Sequence, residues 1–152
     1  MAIEIISVGK PHDSVFKDAI FRYEKRLQKP FTLKWSLIPP SSHAATRAVE
    51  EESERIVRRL APKAIVILLD ERGQQLDSPA LARQLEVYLL RGQPIVFIIG
   101  GAYGVSDAVR QRADFTWALS KLVFPHQIVR LLLVEQLYRA QSILKNQAYH
   151  HQ

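Results

Sequence analysis

The residues best placed to do chemistry in this 152-residue chain form a short apolar run that ends in glycines. Ile95 to Ile99 are apolar in succession, the pattern of a strand buried on both faces. Gly100, Gly101 and Gly104 follow at once, where the chain must turn and leave room for something to approach its backbone. Ser106 and Asp107 then offer a helix cap. A strand, a glycine turn and a helix N-terminus make a common small-molecule site in α/β proteins. A tight structural turn would use the same glycines.

Two further loops follow strand-like runs: Asp70, Glu71, Arg72 and Gly73 after Leu69, and Ser120 to Pro125 after Leu119. If the three strands are parallel neighbours, the loops share one carboxyl edge, where open α/β sheets bind ligands. The pattern is not a dinucleotide fingerprint, because Asp70 precedes the glycines and their spacing is G-G-x-x-G. No lysine follows as in a phosphate-binding P-loop. His12, His43 and His126 stand apart from one another, and adjacent His150 and His151 make a poor chelate, so no metal is expected.

Strands are predicted at residues 2–8, 31–38, 64–69, 95–99 and 115–119, with the third ending at Asp70. Helices are predicted at about 14–28, 44–60, 78–90, 107–112 and 126–144. This alternation argues for one α/β domain over residues 1–152, with a mostly parallel sheet flanked by helices. The last helix is apolar around most of its circumference, including Ile128, Leu131, Leu132, Leu133, Val134 and Leu137. Such a helix must be buried nearly all round. A two-fold partner would do this, giving a homodimer; a central helix in a monomer is the rival.

Composition bounds the rest. Hydrophobic residues make up 47% of the chain, as in a globular protein, and there is no cysteine to form a disulfide. No apolar run approaches the roughly 20 residues that span a bilayer, and residues 2–9 lack a secretion-signal pattern. A cytoplasmic location with no membrane association is the expectation. The net charge of +6 is compatible with a nucleic-acid partner. A basic helix flank carries Arg22, Lys25, Arg26 and Lys29, which would suit phosphate contacts or simply a solvated face.

Several separated motifs then occur in order. They are Gly100 to Gly104; Trp117 to Ser120; Phe124, Pro125, His126 and Arg130; Glu135, Tyr138, Arg139 and Ala140; and Asn146, Tyr149 and His150. Together they closely resemble the ribosomal large-subunit methyltransferase H family, small bacterial enzymes of the SPOUT, or α/β-knot, class. The resemblance runs over nearly the whole chain. It implies a homodimer with a C-terminal trefoil knot that holds S-adenosylmethionine. It also implies methylation at N3 of a pseudouridine in a 23S ribosomal RNA stem-loop at the intersubunit bridge, with assembled ribosomes as substrate. Transfer RNA as substrate, or a non-catalytic RNA-binding module, are the alternatives.

Carried over by position, the resemblance gives Leu69, Gly100, Gly101, Ser120, Lys121, Leu122, Val123, Phe124 and Pro125 as cofactor residues. The N3 proton must leave before or during methyl transfer, so an acceptor is needed. Glu135, the one acid in the last helix, is the leading candidate, although a plain ion pair with Arg139 would also explain it. His126 is the second candidate. Arg130 and Arg139 suit RNA phosphate or orientation of the acid. Tyr149 and His150 belong to a polar tail free to reach a neighbouring active site and contact RNA. Some relatives end in Tyr-His-Arg, whereas His151 here carries no permanent charge.

Overall fold

Side-chain alternation along three central strands decides the layering. The computed structural model describes residues 2–151. In β1 (Ile3–Val8), β3 (Ile65–Gln75) and β4 (Ile95–Ile99), successive side chains point to opposite faces of the sheet. Ile3, Ile5, Ile65, Ile67, Ile95 and Phe97 enter one apolar core, while Ile6, Val8, Val66, Leu68, Val96 and Ile98 enter a second. A sheet with two cores needs helices on both faces.

The edge strands are β2 (Leu33–Ile38) and β5 (Phe115–Ala118), and the five strands run parallel in the order β2-β1-β4-β3-β5. On the first face, α5 (His126–Leu144) packs between α1 (Ser14–Glu24) and α3 (Ser78–Leu90). On the other lie α2 (Ala45–Arg59) and α4 (Asp107–Arg112). From β1 the chain moves to one edge of the sheet, and from β4 to the other. Their carboxyl ends therefore flank the topological switch point, where such sheets open a crevice.

Two predicted boundaries move by more than two residues. The third strand does not end at Asp70 but continues to Gln75, because Leu69 and Gln74 both pair with Trp117 and the residues between them bulge outward. Gly73 makes the return possible: a Cβ there would lie 2.5 Å from the Thr116 carbonyl oxygen. The first helix ends at Glu24, four residues short of the expected Gln28. Gln141 of α5 takes over the local hydrogen bonding, accepting from Gln28 N at 2.7 Å and donating to Arg26 O at 3.1 Å. Helix α5 spans the predicted residues, but its solvent side keeps an apolar stripe of half-buried Ile128, Leu131 and Leu132. No helix among the described residues is long and apolar enough to cross a membrane.

Candidate active site

The carboxyl edge of the sheet holds a cavity of about 660 Å³. The bulge of β3 supplies Leu69, Asp70, Glu71 and Arg72; the glycine turn after β4 supplies Gly100 to Gly104; Ser120 and Leu122 to Pro125 come from the segment after β5. His126 and Val129, at the start of α5, close one side. The turn is held by Gly104 N donating to Gly101 O at 3.0 Å. Gly101 has no room for a side chain, because its Cβ would meet Glu52 Oε1 at 2.5 Å. Glu52 is itself buried, with its other oxygen fixed by Ser41 N at 2.9 Å. Leu122 and Val123 are 69% and 77% exposed, a large apolar surface to leave at a cavity mouth.

Charge at the mouth is organised around Asp70. Its carboxylate accepts from Arg72 N at 2.9 Å and Arg72 Nε at 3.3 Å, and pairs with Arg110 Nη1 at 2.5 Å. Burial works against its ionisation, but these bonds outweigh it and hold Asp70 below the ordinary carboxylate range. His126 is pushed the other way: burial first, then the Arg130 charge, lower its pKa and keep the ring neutral at pH 7. Deeper in, the Trp117 indole N–H is buried without a partner among the described residues.

A second polar cluster lies further along α5. Glu135 Oε1 accepts from Arg139 at 2.6 Å and 3.0 Å and from the Tyr149 hydroxyl at 3.0 Å, while Oε2 accepts from Gln136 Nε2 at 2.7 Å. Arg139 Nη1 also lies 3.2 Å from His150 Nδ1. Tyr149 packs edge-on against Tyr138, with ring centres 4.7 Å apart, and under the Arg139 guanidinium. Burial, then the hydrogen bonds to Tyr23 and Glu135, raise the Tyr149 pKa. Glu135 is therefore held by an oriented set of donors, with Arg139 as its ion-pair partner.

A family model described as predicted SPOUT methyltransferase matches residues 1–150. The chain belongs to the SPOUT methyltransferase family. Proteins named ribosomal RNA large subunit methyltransferase H are similar to it over almost their whole length. The one from Desulfitobacterium hafniense is 39% identical, with 99% of each chain covered. The one from Trichlorobacter lovleyi is 40% identical over 99% of this chain and 100% of its own. In overall fold the chain is similar to a probable methylase family protein from Haemophilus influenzae Rd KW20. That match has a TM-score of 0.59 at 13% identity and covers 99% of this chain and 70% of the other.

In this SPOUT methyltransferase, Leu69, Gly100, Gly101, Ser120, Leu122, Val123, Phe124 and Pro125 line the cavity, whereas exposed Lys121 does not. His126 lines it too; Glu135, Arg139, Tyr149 and His150 gather elsewhere on the same helix. Arg130 does neither, being fully buried against β1 with no contact to Glu135. Arg22 on α1 and Lys25 just beyond its end are exposed, and Arg26 next to them stacks on Tyr138 at 5.7 Å. Sequence reasoning missed Arg110 and Val129 as cavity residues. Val129 was within reach, one helical turn from His126 on the same face. Arg110 gave no signal, since only the tertiary fold brings it to Asp70. Among the described residues no group of three or more potential metal ligands occurs.

Proposed function

We propose that this methyltransferase transfers a methyl group from S-adenosylmethionine to N3 of a pseudouridine in 23S ribosomal RNA, acting in the cytoplasm on the stem-loop at the intersubunit bridge of assembled ribosomes. The observation that carries this reading is the convergence of three carboxyl-edge loops on one cavity, in a chain that aligns end to end with ribosomal RNA large subunit methyltransferases H.

The cavity suits the cofactor. Leu69, Leu122, Val123 and Phe124 offer apolar walls to a nucleoside, the glycine turn offers backbone without side chains, and the unpaired Trp117 N–H offers a buried donor. When bound, S-adenosylmethionine supplies an electrophilic methyl group on a sulfonium. The protein's part is then positioning and proton removal. The cavity loops hold the donor, and exposed Arg22 and Lys25 neutralise RNA phosphate.

The acid that takes the N3 proton is Glu135, oriented by Arg139 and Tyr149, and it reaches a cavity across a two-fold dimer. Helical spacing supports this. Ile128, Leu131, Leu132, Glu135 and Arg139 share one side of α5, so a partner seated on the apolar stripe meets Glu135 as well. Exposed Leu122 and Val123 would be covered in the same step. In this reading each site is composite, and the segment from β5 to α5 forms part of a trefoil knot. His126 is the second reading for the proton acceptor, favoured by its place on the cavity wall and its neutral ring.

The test is transfer of labelled methyl to intact ribosomes, protein-free ribosomal RNA and bulk transfer RNA in parallel. Label on ribosomes that maps to N3 of one pseudouridine supports the reading. Label on transfer RNA alone replaces the substrate, and cofactor binding with no transfer to any RNA overturns the enzymatic assignment.

A further inference from the structure

Arg130 heads the largest fully buried side chains of the molecule, yet no carboxylate pairs with it among the described residues. Its Nε donates to Ser7 Oγ at 2.9 Å, its Nη1 donates to Lys10 O at 2.8 Å, and Nη1 lies 3.3 Å from His12 Nδ1. Nη2 is buried and has no partner among the described residues. Native structures rarely strand a cation in this way, because a buried charge without a counter-charge is costly.

The surroundings of Nη2 all point to one kind of ligand. Gly9 follows β1 at the switch point with φ of 132°, and a Cβ there would sit 3.2 Å from Arg130 Nη2 and 3.2 Å from His126 Nε2. Glycine lets the backbone lie against both the guanidinium and the imidazole, and the His126 ring also borders the large cavity. His126 also opens α5, a 19-residue helix with no acid in its first turn and no side-chain cap. The positive end of the helix dipole therefore adds to the Arg130 charge. Across the guanidinium, His12 is held neutral by burial and by the charges of Arg130 and Lys17.

We infer that Arg130 Nη2 and His126 Nε2, beside Gly9, form an oxyanion subsite that anchors an anionic oxygen of one of the two reactants. Resting on the methyltransferase reading above, it has two sources for that oxygen, a backbone phosphate of the RNA or the carboxylate at the methionyl end of the cofactor. Either would supply the counter-charge that Arg130 lacks.

The experiment uses the full-length protein and starts from inorganic phosphate as probe. Saturable shifts of the His126 and His12 ring resonances in wild-type protein are expected, abolished by Gly9→Ala and by Arg130→Met. Absence of a saturable shift in the wild type overturns the subsite, whatever the variants do. Calorimetry then separates the sources without any variant. If the cofactor carboxylate is the occupant, phosphate weakens S-adenosylhomocysteine binding about tenfold and leaves 5′-methylthioadenosine, which lacks the carboxylate, unchanged. If RNA phosphate is the occupant, both nucleosides bind as before. Folded Arg130→Met then loses affinity for ribosomes, with a salt slope smaller by about one. Unchanged affinity for both reactants in folded Arg130→Met overturns the proposal. Phosphate-dependent shifts in a protein that methylates no RNA would leave the subsite standing and remove the substrate reading alone.

Discussion

His126 and Glu135 stand nine residues apart on α5, and only His126 lines the cavity. Nine residues are about two and a half helical turns, so the two side chains leave the helix on opposite sides, about 13 Å apart along its axis. One protomer cannot bring both to the same reacting atom. The two candidate proton acceptors therefore make different predictions. Glu135→Gln should slow methyl transfer by about 10²- to 10⁴-fold while cofactor affinity stays within about twofold. Single-turnover rates and calorimetry with S-adenosylhomocysteine measure both. A loss of affinity in step with the rate would return the role to the cavity wall.

The tail should matter to the rate in the same way. Tyr149 reaches Glu135 Oε1 at 3.0 Å, and removing its hydroxyl leaves Arg139 and Gln136 to orient the acid. Tyr149→Phe should lower stability by about 1 kcal/mol and reduce the rate. Truncation after Lys145 should reduce it further with cofactor binding intact. Full methylation by the truncated protein would leave the tail a packing element.

Acid should destabilise the fold through two histidines. His12 and His126 both sit below the ordinary imidazole value, burial being the larger cause and Arg130 the next. An imidazole with a lowered folded pKa binds its proton more readily in the unfolded chain, so its contribution is complete above about pH 6.5. It is lost as pH falls through the folded values. The urea midpoint should therefore hold steady above pH 7 and decline toward pH 5, with a flatter decline in the His12→Asn, His126→Asn double variant. Equal slopes in the two proteins would contradict the assignment.

The glycine turn and Glu52 are coupled through contact. Gly101→Ala sets a methyl group 2.5 Å from a carboxylate oxygen whose other half is pinned by Ser41 N. Overpacking of this kind costs about 1–3 kcal/mol, and relief by a shift of the turn would deform the cavity. Cofactor affinity should fall by at least about tenfold, measured by calorimetry. Glu52→Ala in the same chain should restore part of it.

Much of this was legible in the residues because local rules and tertiary structure agree. The unbroken apolar run Ile95 to Ile99 could only be a central strand, and the Asp77–Pro79 start fixed α3, where Asp77 caps Ala80 N at 2.8 Å. The cavity loops followed from parallel neighbours sharing an edge. What escaped needed long-range contacts. The bulge in β3 depends on Gly73 lying over Thr116, and the early end of α1 depends on Gln141, more than a hundred residues away. Arg130 suits RNA phosphate or orientation of the acid by its chemistry, yet it is fully buried against β1, because periodicity along a helix does not show which side the sheet will cover. The two clusters on α5 were nameable residue by residue, but not their separation.

The most direct test of the proposed composite site mixes two variants that are each expected to be inactive. Gly101→Val should empty the cavity, and Glu135→Gln should remove the acceptor. Unfolded and refolded together, about half of the dimers are mixed, and each mixed dimer has one intact site of its two, so methyl transfer should return to about a quarter of the wild-type rate. Recovery to that level is expected if cavity and acceptor come from different protomers. No recovery, with mixed dimers shown to form, would mean that both act within one protomer.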